Sequence, residues 1–138
     1  HLQEQQDLFA QLGPALKAFQ DAMEKIGMAN KVTTFTQSDF GRTLLPAAGA
    51  GSDHAWGNHH LIIGGAVKGG TTYGTFPTLA LGPDSPDDVS EEGRWLPTTS
   101  SDQYAATLAN WFGVSASDMS YVFPNIGNFN SGNLGFML

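Results

Sequence analysis

Leu8, Leu12, Leu16, Phe19, Met23 and Ile26 recur at steps of three and four, and no comparably long period follows until residue 100. Such spacing lines one face of an amphipathic helix. Gly13-Pro14 interrupts it. Proline lacks a backbone donor and clashes with the preceding turn, so the sequence predicts a kink or a helix start there. The expected helix runs from Pro14 to about Ile26, with Gly27 as its stop. Everything up to the next helix must then be built from short strands and turns.

Two stretches have strand character. Val32-Thr33-Thr34-Phe35-Thr36-Gln37 is β-branched and aromatic, and Leu61-Ile62-Ile63 is a short apolar run suited to a buried strand. Gly64, Gly65, Gly69 and Gly70 bracket Ala66-Val67-Lys68 and predict tight turns. Residues 71–97 carry Pro77, Pro83 and Pro86 among Asp84, Asp87, Asp88, Glu91 and Glu92, an acidic, Pro/Gly-rich surface excursion. Ser100 and Gln103 have capping-box spacing, Ala105, Leu108, Trp111 and Phe112 supply an apolar face, and Gly113 suits a left-handed stop. The tail from Phe123 is irregular, but its phenylalanines predict that it packs down. At 138 residues the chain makes one domain, or a portion of a larger one.

Charge and composition remove several functions. Thirteen acidic residues against six basic ones give a formal net charge of -7, with no basic stripe for nucleic acid. The absence of cysteine excludes disulfides and thiolate metal sites. No apolar run approaches the roughly 20 residues of a membrane span. The chain starts at His1 and carries no secretory signal, so it reads as a processed product or a fragment.

The chemistry-bearing residues concentrate between Gln37 and Leu61. Asp53, His54, His59 and His60 form the one His/carboxylate cluster of metal-ligand type, and such donors suit zinc, manganese or iron. The Asp-His-x4-His-His spacing matches no standard zinc signature, and no HExxH is present. If His59 and His60 begin the strand they point to opposite faces, so both do not serve one ion. Turn histidines also often have backbone partners.

Asp39 sits where the first strand ends, suited to a metal, a base or an Asx-turn. Arg42 suits either a pair with Asp39 or a planar clamp on an anionic substrate. Gly64–Gly70 resembles a phosphate loop but fails the GxxxxGK[ST] test, and no Gly-x-Ser-x-Gly elbow supplies a nucleophile.

"TFTQSDFGRT", "GSDHAWGNHHLIIGGAVKGGTTYGTFP", "GRWLPTTSSDQYAATLANWFGV" and "VFPNIGNF" together resemble the C-terminal part of DUF1501 proteins. That resemblance implies a mostly bacterial family exported by the twin-arginine route to the periplasm or beyond, related to alkaline phosphatases and sulfatases. It implies an α/β sandwich with a mostly parallel central sheet and a loop-rich tail. In active members of the superfamily a strand ends in an Asp-His-Gly metal motif; here the position reads Ser38-Asp39-Phe40-Gly41. A phenyl ring cannot coordinate zinc, so the usual two-metal site is altered at Phe40. The metal set carried over is Asp39, His54 and Asp53, with zinc the first choice of divalent ion. Arg42, His59 and His60 are the candidate substrate-binding residues, and the nucleophile belongs to an upstream half that this chain lacks.

Two functions follow as expectations. One is a fragment of an exported, metal-dependent phosphate or sulfate ester hydrolase, inactive as this chain alone. The other is a non-catalytic exported binding or structural protein. The expected partner is the upstream half of the same precursor, or a second copy meeting exposed strand edges.

Overall fold

A computed structural model describes residues 2–138, apart from the side chain of Leu2. His1, where the sequence reading placed the start of a fragment, lies outside them. The elements are α1 (Leu2–Lys25), β1 (Thr33–Phe35), β2 (Ile62–Gly64), α2 (Ser101–Phe112) and α3 (Met119–Val122), followed by a 3-10 turn at Ile126–Asn128. They fall into two compact units. The first runs up to Ala66 and adds Thr78–Leu96; the second joins Val67–Pro77 to Pro97–Leu138.

In the first unit α1 continues through Pro14, where the sequence predicted a kink or a start. Proline removes one amide donor, and the carbonyl it leaves unpaired, at Ala10, sits on an exposed residue where water can satisfy it. The helix ends as expected at Gly27. Met28 N–H donates to the Met23 carbonyl at 2.8 Å and Gly27 N–H to the Glu24 carbonyl at 3.1 Å, the paired bonds of a Schellman motif. Leu8 and Phe9 remain 64% and 66% exposed, so the apolar stripe read from the sequence is present but largely uncovered.

β1 and β2 pair antiparallel, with Thr33 opposite Gly64, Thr34 opposite Ile63 and Phe35 opposite Ile62. Both strands fall where the sequence placed them, and the architecture is mixed α/β. The mostly parallel sheet implied by the family resemblance is not what these residues form. Parallel neighbours need a crossover, usually helical, and the residues between β1 and β2 contain no helix. They fold back as an irregular ladder instead. Thr43 N–H donates to the Asp53 carbonyl at 3.0 Å and Ala55 N–H to the Gly41 carbonyl at 2.7 Å.

The acidic excursion adds a third segment to this ladder. Leu45 N–H bonds the Glu92 carbonyl at 2.9 Å and Gly57 N–H the Trp95 carbonyl at 2.9 Å. Asp88 and Trp95 pair across a short hairpin. Trp95 is only 7% exposed and anchors the excursion to the ladder.

In the second unit, α2 has the capping box its sequence predicts. Gln103 N–H donates to Ser100 Oγ at 3.0 Å, and Ser100 N–H to Gln103 Oε1 at 3.2 Å. Gly113, at φ 110°, takes the left-handed stop that favours glycine. The tail does pack down. Leu134 N–H donates to Thr107 Oγ1 at 2.9 Å, and Gln103 Nε2 donates to the Ser131 carbonyl at 2.7 Å. Phe136, 1% exposed, packs against the rings of Tyr73 and Tyr104, each 5.8 Å away by centroid. Burial there pushes the Tyr104 hydroxyl's pKa up.

Ser100→Ala removes the side-chain half of the box and should lower stability by about 1 kcal/mol. Urea denaturation followed by helical circular dichroism checks this. An unchanged midpoint would show that the cap adds nothing to the fold.

Candidate functional site

The ladder between residues 41 and 57 decides which side chains meet. Arg42 and His54 are directly opposite as an antiparallel pair. The bonds from Thr43 to Asp53 and from Ala55 to Gly41 flank them, so this is the non-hydrogen-bonded kind of pair, whose side chains lie close. Side chains alternate along each strand, so Arg42 and His54 share one face while Thr43 and Asp53 take the other.

Gly41 permits this arrangement. A Cβ at that position would collide with the Gly57 carbonyl. Gly41 N–H donates to the Trp56 carbonyl at 3.1 Å while its own carbonyl accepts from Ala55. Two residues of one strand thus oppose one of the other, which is a bulge. Thr43, buried, fixes the far end. Its hydroxyl donates to the Leu45 carbonyl at 3.0 Å and accepts from Asp53 N–H at 3.1 Å.

Phe40 joins the face of Arg42 and His54. The Arg42 guanidinium lies over the Phe40 ring, 5.4 Å from its centroid. His54 meets the same ring edge-on, with centroids 6.3 Å apart. Arg42 Nη1 also donates to the Ser52 carbonyl at 3.0 Å. Among the described residues no ion pair joins Arg42 to Asp39. Arg94, which no sequence signal picked out, braces the His54 backbone. Its Nε donates to the His54 carbonyl at 3.3 Å, and its Nη1 pairs with Glu92.

The candidate metal ligands are not brought together. Among the described residues no three His, Asp or Glu side chains converge to hold an ion. The pleat gives a reason: Asp53 and His54 are neighbours in sequence and so belong to opposite faces. Asp39 is exposed, one residue ahead of Phe40. These residues alone do not fit a divalent ion; a complete set would need donors from elsewhere.

His59 and His60 lie past the bulge, on the approach to β2. His59 is exposed and His60 half-buried, as alternation predicts. His60 Nδ1 is 3.5 Å from Thr36 Oγ1, which also accepts from Leu61 N–H at 2.8 Å. Burial, then the charge of His59, lowers the His60 pKa below its ordinary value.

Two carboxylates of the excursion, Asp87 and Asp88, have internal roles. Asp87 Oδ2 accepts from Thr78 N–H at 2.7 Å. Asp88 accepts from Gly93 N–H at 2.8 Å, Arg94 N–H at 3.1 Å and Ser90 N–H at 3.2 Å. Burial of Asp88 opposes its charge, but these amides together outweigh that and hold its pKa below the ordinary value. The Asx-turn spacing from Asp88 to Ser90 is the sequence signal for this role.

A family described as a protein of unknown function, DUF1501, matches residues 2–121. The chain belongs to the DUF1501 family. That span takes in α1, both strands, the whole ladder and α2, so the Arg42–His54 face lies within the matched residues. No curated protein and no solved structure matches the chain. No helix among the described residues is long and apolar enough to cross a membrane.

The His60 shift has a pH consequence. Its folded-state pKa lies below the unfolded value of about 6.5, so the fold favours the neutral ring. That contribution is complete above about pH 6.5 and is lost as pH falls through the lower folded value. The His60 ring resonances should titrate with a midpoint below about 6.5 by NMR. A midpoint at or above that value would contradict the burial argument.

Proposed function

We propose that this chain is the C-terminal part of an exported protein of the phosphate- or sulfate-ester hydrolase type, and that it is inactive alone. The observation that carries the reading is the Arg42–His54 pair, set side by side on one face of a braced ladder. A planar guanidinium next to an imidazole suits a tetrahedral ester oxyanion. The sequence has no Gly-x-Ser-x-Gly elbow, and in this reading the attacking group would come from the upstream half of the precursor. The finer architecture, a mostly parallel α/β sandwich of the alkaline phosphatase kind, would then be completed by that half, as would the periplasmic or extracellular setting.

A metal in this reading, zinc first, would need upstream donors to join His54 and Asp39, because Asp53 lies on the other face of the ladder from His54. His59 and His60 would line the approach to the substrate from the β2 side. The chain's own part is to orient the ester anion with Arg42 and to present the His54 imidazole.

A second reading is favoured by α1. Leu8, Phe9, Leu12, Phe19 and Ile26 are all exposed along one stripe. An apolar face of that kind belongs in an interface. The chain would then be a non-catalytic binding or structural protein, covered by the upstream half or by a second copy.

The precursor, purified with its upstream half, separates the readings. The hydrolase reading expects bound zinc by elemental analysis, turnover of 4-nitrophenyl phosphate or sulfate, and loss of both in His54→Ala. Unchanged metal content in His54→Ala would remove His54 from the ligand set. A metal-free, inactive precursor would leave the binding or structural reading.

A further inference from the structure

The Phe40–Arg42–His54 cluster has a property that a metal ligand set does not require. The Arg42 side chain is exposed yet held. Its guanidinium rests on the Phe40 ring at 5.4 Å from the centroid, and Nη1 is anchored on the Ser52 carbonyl at 3.0 Å. Guanidinium carries five N–H donors, and Ser52 uses one. The remaining donors form a fork whose plane is fixed before any ligand arrives, which reduces the ordering entropy of binding. His54, directly across the ladder, adds a ring N–H whichever tautomer it adopts.

The surroundings sharpen the assignment. The chain carries a formal net charge of -7, which repels anions at long range. An anion held here must therefore be held by local geometry. Among the described residues no ion pair joins Arg42 to a carboxylate, and Glu92 is engaged by Arg94.

We propose that Arg42 and His54, with Phe40 as a positioning residue beneath the guanidinium, form a site that takes a sulfate or phosphate ester oxyanion directly, with no metal between. For the kind of anion this rests on the ester reading given above; the binding itself needs neither metal nor turnover. The phenyl ring at position 40 serves as the platform that holds the Arg42 fork in place.

The test uses the whole chain in EDTA. Phenyl phosphate, phenyl sulfate, inorganic phosphate and inorganic sulfate are titrated separately, and the Arg42 Nε–Hε and His54 ring resonances are followed by NMR. Saturable shifts at both residues are expected with at least one ester, and comparison of the four probes assigns the oxyanion and the contribution of the organic group. Arg42→Gln should weaken binding about tenfold, since a charge-assisted fork is lost. Arg42→Lys, which keeps the charge without the fork, should weaken it as well. Phe40→Leu should cost about two- to fivefold and Phe40→Tyr should restore it, because the Arg42 fork rests on an aromatic face.

No saturable binding of any probe in EDTA, binding only after zinc is added, or an Arg42→Gln variant that binds unchanged would each overturn the proposal. Failure of the hydrolase reading appears elsewhere, in the metal content and turnover of the precursor. Either proposal can therefore fall alone.

Discussion

The close approach of Gly41 to the Gly57 carbonyl is the contact on which the functional face depends. It holds two irregular segments near enough for the Arg42–His54 pair to form, and it places the bulge at Ala55 and Trp56. A one-residue slip in such a ladder would exchange the faces, sending Asp53 to where His54 now sits. The identity of the site is therefore set by backbone geometry before any side-chain chemistry enters.

The excursion reinforces that geometry. Its hairpin lays Glu92, Gly93 and Trp95 against the ladder, and Arg94 reaches the His54 carbonyl. Asp88 gathers the amides that let the hairpin turn. A region whose composition reads as solvated loop is thus the third rail of the site. Asp87 and Asp88 organise its backbone, and Glu92 pairs with Arg94.

What the sequence made legible follows the range of the interactions. The stops at Gly27 and Gly113 and the Ser100–Gln103 box are local, settled within about one helical turn, and were readable. Strand positions were readable from β-branched and apolar runs. Strand direction was not, because pairing of Thr33–Phe35 with Ile62–Gly64 is non-local, and the parallel expectation came from the family resemblance rather than from these residues. At the site, Arg42 and His54 were each recognisable, but their adjacency depended on a register that no local signal fixes. Phe40 read as a lost ligand, whereas here it is the surface on which Arg42 rests. Arg94 left no signal, since the carbonyl its Nε braces lies 40 residues away in sequence.

The functional face stands or falls with the register of the ladder between residues 41 and 55, which proton–proton NOE contacts in the folded chain report. Contacts are expected from the Phe40 ring to the His54 ring and to the Arg42 side chain, with none from the Arg42 side chain to Asp53 Hβ. Arg42 contacts to Asp53 Hβ in place of His54 would place the ladder one residue out of register and dissolve the proposed face.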